Sequence, residues 1–192
     1  MYRAGRVAAI DALQLRPGER VLDVGCGTGL SLPLLVRDVG STGLAVGLDA
    51  SPTMLGQARA RVARAGWGSV RLVQASAVDC VAAVTPLLGE DMTVDAVLFS
   101  YSLGVLDDWR TAYDQAVSLL RPGGRVAVVD TAPTRGRSRA LAPLARLAML
   151  AGGVHPRRQV WQHVADRTHL TFADQLRGGH VRVAVGRVGG PV

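Results

Sequence analysis

The sequence predicts an α/β fold built on a seven-stranded, doubly wound sheet that is mostly parallel, with an antiparallel C-terminal strand. First, short apolar, β-branched runs alternate with stretches of helical periodicity, a pattern typical of β/α repeats. Second, these runs are almost continuously apolar, as expected of strands buried on both faces of a parallel sheet. Third, a glycine-rich segment directly follows the first run, where a strand-loop-helix turn would lie at the carboxyl edge of the sheet.

Five predicted strands alternate with helices, and the last two form an antiparallel hairpin across Arg177-Gly178-Gly179. The predicted strands are Arg20–Val24, Leu44–Asp49, Val70–Gln74, Ala96–Ser100, Arg125–Asp130, Leu170–Leu176 and His180–Gly186. The predicted helices are Ser31–Val39, Thr53–Ala65, Ala77–Leu88, Asp108–Leu120, Arg139–Leu150 and Arg157–Asp166. Ser51-Pro52 supplies a cap and a first-turn proline for the second of these helices, and Arg121-Pro-Gly-Gly ends the fourth.

Length and composition favour one domain over residues 1–192, because 192 residues are too few for two domains of ordinary size. No apolar run approaches the ~20 residues of a membrane-spanning helix, and the start of the sequence has no secretory signal, so we expect a cytoplasmic protein. Cys26 and Cys80 are isolated, and the four histidines show no metal-ligand spacing, so we expect neither a disulfide framework nor a metal site.

The charge of the chain is unevenly distributed. All 22 basic residues are Arg, which is typical of a GC-rich genome. Residues 1–130 contain 12 Arg and 13 acidic residues, whereas residues 131–192 contain 10 Arg and only two acidic residues. We therefore expect a cofactor-binding half, 1–130, and a basic, substrate-side half, 131–192. The apolar stretch Leu141–Leu150, bordered by Arg135, Arg137, Arg139 and Arg146, has three interpretations: peripheral contact with an anionic inner-membrane surface, an ordinary helix packed on the sheet, or a homodimer patch.

The glycine-rich segment predicts a ligand site. Gly25, Gly27 and Gly29 tolerate positive φ and let a ligand approach the backbone, while the following helix offers unpaired N–H groups. A dinucleotide site has the pattern Gly-x-Gly-x-x-Gly, whose last glycine would fall at position 30, where this sequence has Leu30. This difference weakens a nicotinamide or flavin interpretation. Asp49, at the tip of the second strand, is placed to accept hydrogen bonds from a ribose diol; the alternative is that it only caps the next helix.

The segments Val21–Gly29, Gly47–Ser51 and Leu119–Gly124 together resemble the class I S-adenosylmethionine-dependent methyltransferases, whose fold is Rossmann-like. The resemblance implies S-adenosylmethionine as the cofactor. Asp23 would order the loop and the methionine amino group, Asp49 would bind the ribose hydroxyls, and Tyr2 would reach the cofactor carboxylate. The implied cofactor-binding residues are Tyr2, Asp23, Gly25, Cys26, Gly27, Gly29, Asp49, Ala50, Met54, Ser76, Ala77 and Ser100.

The chain departs from this family pattern at Ser76. Members usually have an Asp there, which meets the adenine amino group, and a hydroxyl accepts that hydrogen bond more weakly than a carboxylate. Adenine recognition would then depend on the backbone of Ala77. This departure at Ser76, together with the lack of a segment that could form a lid over the site, motivates one alternative function: a non-catalytic, cofactor-binding partner subunit.

The segment around the fourth strand limits the classes of methyl acceptor that the sequence predicts. In the family this region faces the transferred methyl group, which places Ser100 and Tyr101 there. It lacks both the Asn/Asp-Pro-Pro-aromatic motif of base-amine methyltransferases and a Pro-Cys nucleophile, and Glu occurs only at positions 19 and 90, so the paired-glutamate loop of protein arginine methyltransferases is absent. A nucleic-acid acceptor is therefore disfavoured.

Ser100–Leu103, Leu106–Arg110 and Gly178–Val181 resemble the bacterial phosphatidylethanolamine N-methyltransferases and, next to them, the quinone C-methyltransferases. The resemblance implies N-methylation of a lipid amine, with Tyr101 orienting the amine or only lining the cofactor pocket. His180 is a candidate general base, since neutral imidazole can take a proton from an ammonium acceptor; placement in a surface hairpin is the alternative. Methylation of a soluble or quinone-like metabolite at O, N or C remains the enzymatic alternative.

Overall fold

The computed structural model describes residues 2–131, 160–176 and 179–189. Within them a seven-stranded sheet is formed by β1 (Arg20–Val24), β2 (Leu44–Asp49), β3 (Val70–Gln74), β4 (Val94–Ser100), β5 (Leu120–Thr131), β6 (His169–Leu176) and β7 (Val181–Arg187). The strand order is β3-β2-β1-β4-β5-β7-β6, and β7 runs in the direction opposite to that of the other six strands. The predicted sheet, mostly parallel with an antiparallel last strand, is confirmed.

The described helices are α1 (Arg3–Leu13), α2 (Leu32–Val39), α3 (Pro52–Ala65), α4 (Cys80–Val84), α5 (Trp109–Ser118) and α6 (Val160–Arg167). The start of α3 is as the sequence predicts: the Ser51 hydroxyl accepts a hydrogen bond from the Met54 N–H at 3.3 Å, and Pro52 occupies the first turn. Gly66 ends this helix with φ +66°. None of the described helices has both the length and the apolar character needed to cross a membrane.

Two apolar cores lie on opposite faces of the sheet. On one face α1 and α2 pack against the central strands through residues such as Ile10, Leu13 and Leu35, all fully buried. On the other face α4, α5 and α6 cover β4 and β5 through residues such as Phe99 and Tyr113. Helices on both faces explain why the strands read as continuous apolar runs.

Two predicted elements differ from the structure, and one lies outside the described residues. The single helix predicted over Ala77–Leu88 is wrong: 3₁₀ turns at Ala77–Asp79 and Thr85–Leu87 flank the short α4, and Pro86 cannot continue an α-helical ladder. The sequence pattern did not delimit α1, which the structure places over β5 and β7. The predicted helix Arg139–Leu150 lies outside the described residues, and the predicted helix Arg157–Asp166 appears in part as α6.

An ion-pair network ties the amino-terminal edge of the sheet. Arg125 is 5% exposed; it donates to a Glu19 carboxylate oxygen at 2.6 Å and to the Gln14 carbonyl at 2.9 Å. Arg121 contacts both Glu19, at 3.7 Å, and Asp95, at 2.5 Å. These charges lie at the edge opposite the glycine-rich loop, so their role is structural.

Candidate functional site

The strand order reverses between β1 and β4: β2 and β3 are added on one side of β1, and the parallel strand β4 lies on its other side, so the loops after β1 and β4 meet at the carboxyl edge. In doubly wound sheets this position forms the ligand crevice. The Ser102 hydroxyl donates to the Val24 carbonyl at 2.6 Å, which joins the end of β4 to the end of β1. The predicted residues from the first, second and fourth strands therefore come together at one edge.

Each of the three glycines in the loop after β1 has positive φ: +71° at Gly25, +54° at Gly27 and +74° at Gly29. A Cβ at Gly25 would collide with Ser102, and one at Gly29 would lie 2.7 Å from Leu32, so these two glycines permit internal packing. A Cβ at Gly27 would meet no atom within 4 Å. Gly27 therefore exposes its backbone on an open side of the loop, where a ligand can lie against it.

Asp49 holds this loop in place. Its carboxylate accepts hydrogen bonds from the Gly27 N–H at 2.8 Å and from the Ser51 N–H at 2.9 Å. The helix cap is the Ser51 side chain, so the alternative that Asp49 only caps α3 is wrong. Each carboxylate oxygen has a second lone pair, so Asp49 can position the loop and still accept from a diol.

Asp23 is a buried carboxylate at the end of β1. It is fully buried, and neither oxygen has a hydrogen-bond partner of standard geometry, although the Ser31 hydroxyl and the Arg6 guanidinium lie close enough to lower its pKa. Burial outweighs both and raises the pKa of Asp23 to about 7, with a further contribution from Asp49. An unpartnered buried carboxylate beneath the loop is suited to receive a cationic group.

An aromatic pair borders the crevice: Tyr2 lies just before α1 and Tyr101 just after β4. Tyr101 has φ +57°, and its hydroxyl donates to the Tyr2 carbonyl at 3.1 Å while the two ring centroids lie 4.8 Å apart. The Arg6 guanidinium lies 5.8 Å from the Tyr101 ring centroid, and its buried Nε has no hydrogen-bond partner. A residue held in the left-handed region beside a ligand crevice is typical of a functional position.

Arg6 and Arg61 were not predicted as site residues. They line a cavity of about 480 Å³ beside the glycine-rich loop, together with Tyr2 and Arg3. Arg61 also donates to the Thr28 carbonyl at 3.2 Å, which fixes this Arg against the loop. No sequence signal distinguishes Arg6 or Arg61 from the other arginines, because their positions depend on how α1 and α3 pack.

Asp130 was also missed. It is 3% exposed and accepts from the Gly104 N–H at 2.8 Å and the Thr131 N–H at 2.7 Å, so it fixes the turn that follows Tyr101 and Ser102. Burial raises its pKa, and these two hydrogen bonds oppose the shift. An acid that ends an apolar strand at the carboxyl edge is a signal that sequence analysis could have used.

The remaining predicted residues have varied surroundings. Ala50 and Ser76 are exposed, Met54 is 44% exposed on α3, and Ala77 is buried in the core. Ser100 has a buried hydroxyl without a hydrogen-bond partner, so it could meet a ligand at the end of β4.

Neither Cys26 nor His180 stands out as a reacting group. Burial strongly raises the pKa of the Cys26 thiol, so Cys26 is not a nucleophile at neutral pH. His180 lies in the turn between β6 and β7, at the carboxyl edge but two strands from β4. Among the described residues no cluster of three His, Cys, Asp or Glu could hold a metal ion.

Comparison with known proteins identifies related sequences. A family described as methyltransferase domain matches residues 21–124, more than half of the chain. The chain is 31% identical over 120 residues to the arsenite methyltransferase of Halobacterium salinarum, covering 62% of this chain and 29% of that protein. It is 29% identical over 130 residues to the demethylmenaquinone methyltransferase of Bacillus cytotoxicus, covering 68% and 52%. The matched part of the chain thus spans 29% of the first relative and 52% of the second.

The fold is shared with solved structures. A SAM-dependent methyltransferase from Aquifex aeolicus superposes with a TM-score of 0.71 over 95% of this chain and 89% of that protein, at 19% identity. At 19% identity this similarity shows the fold alone. It agrees with the strand order and the position of the glycine-rich loop.

Proposed function

The chain belongs to the methyltransferase-domain family, and we propose that it transfers a methyl group from S-adenosylmethionine to a small apolar acceptor, first of all a quinol-like ring. S-adenosylmethionine is its cofactor. The observation that carries the proposal is the glycine-rich loop: Gly27 leaves open space over its backbone, between Asp49 and the end of β4.

The charges around the loop fit the amino-acid end of the cofactor. The unpartnered carboxylate of Asp23 would pair with its ammonium group, and the unpartnered guanidinium Nε of Arg6 would meet its carboxylate. Asp49, with its second lone pairs, would accept from the ribose hydroxyls. When bound, the cofactor supplies a methyl group on a sulfonium that is its own leaving group.

With the leaving group supplied by the cofactor, the chain's own residues have to align the acceptor and exclude water. Tyr2 and Tyr101 close the crevice on the side of α1 with two packed rings. The Tyr101 hydroxyl donates to the Tyr2 carbonyl, which fixes the Tyr101 ring at the border of the crevice, where it can pack against a flat acceptor. This supports Tyr101 as the residue that orients the acceptor. We keep His180 as the proposed base only because the hairpin turn places it at the same carboxyl edge, two strands away from β4.

Two features distinguish the acceptor classes of the relatives. An arsenic acceptor held by several thiolates does not fit, because the chain has two cysteines and both are buried. The aromatic border formed by Tyr2 and Tyr101 suits a flat apolar ring, and a demethylmenaquinone methyltransferase is among the relatives.

A lipid amine such as phosphatidylethanolamine is the second candidate. The basic residues 131–192 favour it, because they would attract the domain to an anionic membrane surface. In that case the ring of Tyr101 would hold the ammonium group. Residues 132–159, which carry much of this charge, lie outside the described part of the chain.

The test is methyl incorporation from labelled S-adenosylmethionine into a panel of acceptors: a demethylated quinol, phosphatidylethanolamine vesicles, and soluble phenols and amines. We expect label in the quinol, with a rate about tenfold lower in Tyr101→Phe if a hydrogen bond of ordinary strength orients the ring. Label in the vesicles alone would favour the lipid amine. Bound cofactor with no labelled acceptor would contradict the proposal and favour a partner-subunit role.

A further inference from the structure

A second cavity, of about 470 Å³, lies between α6 and the β6–β7 hairpin, away from the glycine-rich loop. Its size falls within the range of about 300–1,000 Å³ that is usual for small-molecule sites. The residues that line it include Trp161, Leu170, Ala173, Asp174, Gln175 and Arg182. None of these residues belongs to the methyl-transfer site described above.

Arg182 brings a positive charge to this cavity without a carboxylate partner. Its guanidinium lies 4.8 Å from the Trp161 ring centroid, and its buried Nε has no hydrogen-bond partner. Among the described residues, no acid forms an ion pair with it. Residues 132–159 contain no Asp or Glu at all, so that segment has no carboxylate side chain to offer.

The nearest acid in the hairpin belongs to the opposite face of the sheet. In the β6–β7 register Arg182 pairs with Gln175, whereas Asp174 pairs with Val183. Successive side chains on a strand point to opposite faces, so Asp174 shares a face with Val183, which is buried in the core beneath α1. Asp174 nevertheless lines the cavity, and its carboxylate accepts a hydrogen bond from the Gln175 N–H at 2.7 Å instead of forming an ion pair with Arg182.

Trp161 adds a second donor without an acceptor. Its Nε1–H is buried and has no hydrogen-bond partner. Buried polar groups are almost always paired, and both unpaired donors belong to residues that line this cavity, where a ligand oxygen could supply the acceptor. The other walls, Ala165, Leu170 and Ala173, are apolar.

We propose that this cavity binds an oxyanion carried on an apolar body, a carboxylate or a phosphate monoester, with Arg182 and Trp161 donating to the oxygens. Arg is suited to this role because its guanidinium offers several N–H groups in a fixed plane. The net positive charge of residues 131–192 would raise the local concentration of such anions. The site does not depend on methyl transfer, so it is tested without S-adenosylmethionine.

The experiment is calorimetric titration of the full chain with octanoate, octyl phosphate and octan-1-ol. We expect both anions to bind and octan-1-ol to bind at least about tenfold more weakly, because it lacks the charge that Arg182 recognises. The stronger of the two anions identifies whether the natural group is a carboxylate or a phosphate. Trp161→Phe keeps the ring and removes the donor, so we expect it to weaken anion binding by a few-fold.

Arg182→Gln should weaken anion binding by about tenfold or more, since it removes a charge-assisted hydrogen bond. Arg187→Gln is the matched control: Arg187 is an exposed Arg on the same strand, on the opposite face, and its loss should leave binding unchanged. Equal affinity of Arg182→Gln and the wild type, equal affinity for octanoate and octan-1-ol, or no binding of either anion would overturn the proposal.

The wild-type chain provides a test that does not depend on the variant folding. Octanoate affinity should fall as NaCl rises from 50 to 500 mM, while octan-1-ol affinity should stay constant, because only the charged ligand is screened. An octanoate affinity that salt does not change would also overturn the proposal.

Discussion

Gly27→Ala separates cofactor binding from folding. Its φ of +54° costs an L-residue about 1–2 kcal/mol. A Cβ there meets no protein atom within 4 Å, so no steric clash adds to this strain. For a chain of this size the thermal midpoint should fall by roughly 2–8 °C. The added methyl group would occupy the space over the backbone that the proposal assigns to S-adenosylmethionine.

Gly66→Ala is the matched control. Gly66 has φ +66°, its Cβ would also meet nothing within 4 Å, and it lies at the end of α3 beyond the loop. Thermal denaturation should show similar losses for both variants. Calorimetric titration with S-adenosylmethionine should show about tenfold weaker binding or more for Gly27→Ala only. Equal cofactor affinity in the two variants would refute the assignment of the open side of the loop.

Three further predictions follow from buried charges. Burial raises the pKa of Asp23 from 3.8 to about 7, so between these pH values the folded chain retains a proton that the unfolded chain loses. The free energy of unfolding should therefore fall as the pH rises from about 4 to 7. Thermal melts of Asp23→Asn should show a flatter pH dependence. Cofactor affinity should instead fall below pH 7, where Asp23 loses its charge. Equal cofactor affinities in titrations at pH 6 and pH 8 would contradict this prediction. Arg125→Ala removes the closest ion-pair partner of Glu19 and leaves the longer contact with Arg121, so it should cost about 1.5–3 kcal/mol in denaturant unfolding, with no change in cofactor affinity for the folded protein. Gly104→Ala places a Cβ 2.5 Å from an Asp130 oxygen and should lower kcat. In an Asp130→Ala background the same substitution should lower kcat by less, because the carboxylate that the methyl group meets is gone. Strictly additive effects of the two substitutions on kcat would contradict the contact.

Much of the fold could be predicted from local sequence. Each predicted strand overlaps an observed one, because buried parallel strands are continuous apolar runs bounded by glycine, proline or helical pattern. The predicted helix Ala77–Leu88 failed because Pro86 and the two 3₁₀ turns interrupt a stretch whose apolar content resembles a helix. Local pattern could not specify how this segment divides.

The site was predictable where it depends on one loop and not where it depends on packing. Positive φ at Gly25, Gly27 and Gly29 follows from the glycine spacing, and Asp49 lies beside this loop, where its carboxylate accepts from the Gly27 N–H. The contacts of Arg6 with Tyr101 and of Asp130 with Gly104 join residues far apart in sequence. No local spacing encodes such contacts, since they arise only when α1 and β5 pack beside β4.

The central claim is that the loop after β1 binds S-adenosylmethionine. Equilibrium dialysis of the wild-type chain with methyl-labelled S-adenosylmethionine tests it most directly. We expect saturable binding of one molecule per chain, displaced by the demethylated product S-adenosylhomocysteine. Binding that does not saturate, or that the product does not displace, would contradict it.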